Sequence, residues 1–214
     1  MRSFDFYEFA GVVAPGAVAL LGITLVHPEL LHARVNLGDI TVGGFGVFAI
    51  LAYVAGHLVQ GLGNAIEWAW WRLWGGLPTD WVRTSRHQLL AMAQVRTLEA
   101  QLGPKLGLLD PPEISSLDAR AWFGITRQIY AAVQGAGRAN RVDVFNGNYG
   151  LFRGVAAALV VVVGLELIAH RTQNRIALVI GLVTIGLALY RMHRFGRHYG
   201  QEVFMQFLQL PLPK

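Results

Sequence analysis

The chain has 214 residues, of which 54% are hydrophobic and 14% charged, and its mean hydropathy is +0.42. Those values exclude an ordinary water-soluble domain and make an all-α membrane protein the expectation. The absence of cysteine excludes disulfides, thiolate metal sites and a cysteine nucleophile, and the net charge of +5 is almost wholly arginine, since Lys105 and Lys214 are the only lysines.

Four segments have the length of about 20 residues and the apolar character of a membrane span. The first runs from Tyr7 to Val26 and is read as a retained helix, because no small-residue cleavage pattern follows it. Pro15 and Gly16 lie near its middle and are expected to kink it. The second runs from Thr41 to Gly63, the third from Leu151 to Ile168 and the fourth from Ile176 to Met192. With both termini inside, all but Arg34, Arg171 and Arg175 of the 18 lysines and arginines fall on the inner side, as the positive-inside rule requires. Trp68, Trp70, Trp71, Trp74 and Trp81 are expected as an aromatic belt where the second span leaves the bilayer.

The second span carries a polar stripe. Within "ILAYVAGHLVQGLGNAIEWAWW", Tyr53, His57, Gln60, Asn64 and Glu67 fall, with Trp71, inside an arc of about 80° on a helix. Polar groups at membrane depth are costly unless they pair, face a bundle interior or line a wet path. Lipid exposure is therefore rejected, and two readings stay open. In one, the stripe joins helices by hydrogen bonds, helped by the close approach that Gly56, Gly61 and Gly63 permit. In the other, copies of the stripe surround a conduction path, with Glu67 as an inner ring and Gln60 and His57 deeper. Four short spans are few to enclose a pore, so the second reading needs a symmetric oligomer, most plausibly a tetramer.

Residues 74–148 are expected to form an inner, cytoplasmic domain between a first span pair (residues 1–73) and a second (residues 149–192). Its breakers, "GGLPTD", "GPKLGLLDPPEISS" and "GAG", separate two amphipathic helices. One lies near Ser85 to Leu102 and carries Leu89, Met92, Val95 or Arg96, and Leu98 or Leu102; the other starts at a serine cap, Ser115 or Ser116, and carries Leu117, Trp122, Ile125, Ile129 and Val133. The hairpin's apolar faces pack on each other, on a neighbouring subunit or on the membrane surface.

Two further groups are polar. "RANRVDVFNGNYGLFRG" enters the third span with Asn146, Asn148 and Arg153, and Arg153 either snorkels or pairs with Glu67 or Glu202. A C-terminal helix over residues 193–214 is expected to run straight on from the fourth span, with Phe195, Tyr199, Glu202 and Gln206 on one face. Arg191, Arg194 and Arg197 near its root either anchor on lipid phosphates or form a basic vestibule for an anionic ligand. Glu166 and His170, four residues apart, are read as structural, and no metal, cofactor or nucleotide-binding motif is present in the sequence. Catalysis on lipid has only Glu67, His57 and Asn146 as candidates, so the chain is not read as an enzyme.

Taken with "AYVAGHLVQGLGN", "FNGNYGLFRG" and "RFGRHYGQEVFMQF", this layout resembles uncharacterised four-span bacterial inner-membrane proteins and, more loosely, transmembrane effectors of anti-phage defence systems. The resemblance implies an effector that opens a pore or damages the membrane under control of a cytoplasmic protein or a nucleotide or oligonucleotide signal. The leading expectation is a pore-forming or ion-conducting homo-oligomer gated through its inner helices. Its alternative is a non-conducting anchor or adaptor that recruits a cytoplasmic partner.

Overall fold

A computed structural model of the chain describes residues 9–27, 42–84, 86–109, 113–169 and 175–212. A π-helical turn, Phe9–Val13, leads into α1 (Ala14–Val26), followed by α2 (Val42–Leu73), α3 (Met92–Leu106), α4 (Ala119–Gly135), α5 (Asn140–Ile168) and α6 (Arg175–Leu208). Short helical turns lie at Pro78–Asp80, Trp81–Thr84 and Ile114–Ser116, and no strand occurs among the described residues. The all-α expectation holds.

Three helices rather than four, α2, α5 and α6, are long and apolar enough to cross a membrane by length and composition. The first expected span is shorter than 20 residues of α-helix. Its α-helical part has 13 residues, about 20 Å against a hydrocarbon layer of about 30 Å. Pro15 lies just after the π turn, whose last residue, Val13, keeps helical φ and ψ angles of −64° and −44°, so the helical run continues through a local irregularity at the proline, where a bend is expected.

The chain divides into two compact units, one drawn from Met1–Trp68 and Gly147–His193, the other from Ala69–Asn146 and Arg194–Lys214. Small residues govern the packing of the first. Ala19, Val59, Ala157 and Ala158 form a buried cluster on which Val18 and Ile66 pack. A Cβ on Gly16 would overlap the backbone of Ala52 and Gly56, one on Gly56 would overlap the carbonyl of Val12, and one on Gly22 would overlap Val162. The helices therefore touch at their backbones, as small residues allow. Outward-facing positions such as Leu58, Phe45 and Ile176 are large and apolar, which is compatible with a membrane location.

The second unit is built around aromatic residues. Trp122 is fully buried, stacks on Phe204 at 5.8 Å and donates its indole N–H to the Thr79 carbonyl at 2.8 Å. Ile125, Ile129 and Val133 follow it along the inward face of α4, as their spacing predicts. Its cap differs from expectation. Ser115 and Ser116 lie in the preceding 3-10 turn, and Asp118 caps α4 by accepting from the Ala121 N–H at 2.7 Å. The preceding helix also starts later than Ser85, at Met92, so Leu89 is buried from a non-helical stretch. Earlier, just past the end of α2, the chain turns through Gly75 and Gly76, whose φ angles of 76° and 114° favour glycine.

As expected, the C-terminal extension continues the helix of the fourth segment, but that helix, Arg175–Leu208, ends before residues 209–212, which the expected range of 193–214 includes. Its buried face in the second unit is Gly196, Gly200, Val203, Phe204 and Phe207. Lys105 closes the end of α6 by donating to the carbonyls of Phe207 and Leu208 at 2.8 and 3.0 Å, and burial holds its ammonium below the usual lysine range. Burial and a 2.7 Å hydrogen bond to Asp143 push the Tyr130 phenol well above its ordinary value. Of the expected aromatic belt, Trp71 and Trp81 are buried in this unit against each other, whereas Trp68 is 65% exposed.

Candidate functional site

The polar stripe of α2 divides lengthwise. On the helical wheel Gln60 and Glu67 lie on one edge of the arc, and His57 and Asn64 on the other. The first edge is turned inward. Arg153 of α5 donates through Nε and Nη2 to the Gln60 amide oxygen, at 3.2 and 2.7 Å, and through Nη1 to the Glu67 carboxylate. The Gln60 amide nitrogen in turn donates to the carbonyl of Gly11, in the π turn, and to that of Gly150 at 3.4 Å. One guanidinium and one amide thus tie together three helical segments.

Space for this bracket comes from glycine. Gly63 lies against the stem of Arg153, and Gly154 lies against Pro15 and the Gln60 amide, so a side chain at either place would displace the network. The Arg153 and Glu67 side chains are only 18% and 21% exposed. Of the two carboxylates that the sequence offered to Arg153, the structure pairs it with Glu67.

The second edge is turned outward. Tyr53 is 43% exposed and packs edge-on against His57, with ring centroids 4.6 Å apart. His57 and Asn64 are exposed, and Asn64 has no hydrogen-bond partner among the described residues. Gly61 lies on the same open side with nothing near its Cα. A single copy therefore presents an aromatic hydroxyl, an imidazole and an amide on the outside of one of its most apolar helices.

The remaining candidates do not converge on one point. Arg191 lies over the Phe152 ring at 5.2 Å, while Arg194 is exposed and its Nε is 3.5 Å from Nε2 of His198. Arg197 is exposed, and Asn146 and Asn148 are half-buried on α5. Glu202 belongs to a separate constellation in the second unit. It accepts from the Gln206 amide at 2.8 Å and lies 3.5 Å from the Arg141 guanidinium. These two contacts flank a groove of about 560 Å³ whose floor is α6 from His198 to Gln206 with Gln209 just past its end, and whose walls include Gln94, Arg141 and Phe145.

Of the groove residues, sequence reading singled out only Glu202 and Gln206. The spacing of Gln201, Met205 and Gln209, one turn apart each, was the available signal, but the walls come from helices far away in sequence. Among the described residues no cluster of acidic and histidine side chains has a metal-binding arrangement. No family model, no curated protein and no solved structure matches the chain.

Proposed function

We propose that the chain is an integral membrane protein of the bacterial inner membrane that acts as a homo-oligomeric, ion-conducting pore. The carrying observation is the outward edge of α2. Tyr53, His57 and Asn64 are exposed on a helix otherwise covered in large apolar side chains, and in a bilayer that edge needs a wet path or another subunit. A ring of copies supplies both. The inward edge, with Gln60 and Glu67 held by Arg153, then keeps α2 rotated so that the outward edge meets the path.

In this reading the π turn and α1 complete a fourth crossing beside the three longer helices, and both termini lie on the positively charged cytoplasmic side. A tetramer remains the favoured ring, because cyclic symmetry gives every subunit the same orientation in the bilayer. The second unit receives the gating signal.

A second reading, the non-conducting anchor or adaptor, is favoured by one observation of its own: the groove of the second unit, which offers unfilled amide groups to a partner.

Ion flux separates the two. The full chain, reconstituted in liposomes, is expected to pass potassium above the leak of empty vesicles, and Asn64→Asp is expected to raise the preference for cations over anions by about tenfold, because it adds one charge per subunit to the lining. Native mass spectrometry from the same vesicles reports the ring. An intact oligomer that passes no ions, alone or with Asn64→Asp, would favour the anchor.

A further inference from the structure

We propose that the groove of the second unit is a binding site for an extended peptide segment of a partner protein. The inference deepens the anchor reading but does not depend on whether the chain conducts.

Three features of the groove select this ligand. Its floor runs along α6 from His198 and on to Gln209 just past the helix end, about 16 Å at the rise of an α-helix, which matches about five residues of extended chain. Its volume of about 560 Å³ lies within the usual range of ligand sites. A compact ligand leaves much of such a length unfilled, whereas a strand lies along it.

The amide groups come next. Gln201 is exposed and has no hydrogen-bond partner among the described residues. Gln206 uses one amide hydrogen on Glu202, and Gln209 uses its amide oxygen on Arg138, which leaves the Gln206 oxygen and the Gln209 amide hydrogens uncommitted. Primary amides supply donors and acceptors in the same geometry as a peptide backbone, so this row reads main chain rather than one particular side chain. Met205, between them, and the Phe145 ring, stacked on His198 at 5.4 Å, give alternate side chains an apolar surface that adapts to shape.

Charge excludes the other obvious class. Arg141 is the lining's arginine; its side chain is 71% exposed and lies 3.5 Å from the Glu202 carboxylate, whose side chain is 15% exposed. A phosphate-bearing ligand would meet that carboxylate beside the cation it needs. The groove is suited to an uncharged, hydrogen-bonding chain.

The test uses the full chain in nanodiscs, applied to an array of acetylated, amidated heptapeptides of random sequence. A subset is expected to be retained, and Gln201→Arg, which places a bulky cation on the groove floor at an exposed position, is expected to weaken the retained peptides by about tenfold or more. Gln128→Arg, a change at an exposed position of α4 outside the groove, is expected to leave them unchanged, and a mixture of mononucleotides is expected not to compete. Retention of no peptide, equal loss with both variants, or displacement of the peptides by mononucleotides would each overturn the assignment. Because the readout is binding, its failure is distinct from an absence of ion flux.

Discussion

Arg153→Met is expected to destabilise the fold by about 3 kcal/mol, since it leaves a mostly buried carboxylate and amide without their donor. Arg153 fills the Gln60 oxygen twice and the Glu67 carboxylate once, and methionine replaces its stem but none of its hydrogen bonds. Much of the loss is the cost of an unpaired Glu67 rather than the worth of the pair. Adding Glu67→Gln to the same chain should therefore recover about half of it. Reversible unfolding in bicelles, run as a double-mutant cycle, measures both quantities. Additive losses from the two substitutions would show that the pair is not coupled, and the rotation of α2 would then need another cause.

Gly16→Leu is expected to prevent α1 from packing on α2, with a loss of at least about 3 kcal/mol. A side chain there meets backbone atoms of Ala52 and Gly56, which cannot move away as a flexible side chain would. Gly56→Leu should behave alike, because its Cβ falls on the Val12 carbonyl. Gly61→Leu is the contrast. Its Cα has open space around it, so folding of a subunit should be little changed, while assembly of the ring is impaired where copies meet. Thermal unfolding in detergent reports the first effect and native mass spectrometry the second. Equal tolerance of leucine at residues 16, 56 and 61 would contradict the packing described for α1.

The helical character of the chain was legible because it is local. Trp122, Ile125, Ile129 and Val133 repeat at helical spacing, and they are the buried face of α4. The stripe on α2 was equally legible as an arc. Which edge of that arc turns inward was not, since the choice is made by Arg153, 86 positions from Glu67. Serine at residues 115 and 116 carried a sound capping signal, but the neighbouring Asp118 caps α4 instead, and a carboxylate at a helix N-terminus has the added attraction of the dipole. The shortness of α1 escaped because a π turn leaves no hydropathy signature. On the C-terminal helix the polar face drew the reading, although Gly196, Gly200, Phe204 and Phe207 mark an inward face at the same spacing. The groove as a whole escaped, although Glu202 and Gln206 were singled out, because its floor and walls come from three helices and none contains the pattern alone.

The central claim, that the outward edge of α2 borders an ion path and the opposite face of the helix does not, is open to one direct measurement. The chain has no native cysteine, so single cysteines can be placed at residues 53, 57 and 64 and, as the comparison set, at residues 55, 59 and 66 on other sides of the same helix. Each variant is reconstituted, and potassium flux is recorded before and after a charged, water-borne methanethiosulfonate reagent. The account predicts that modification at 53, 57 and 64 alters flux while positions 55, 59 and 66 do not respond. Flux that is untouched by modification at 53, 57 and 64, or altered equally at all six positions, would contradict it.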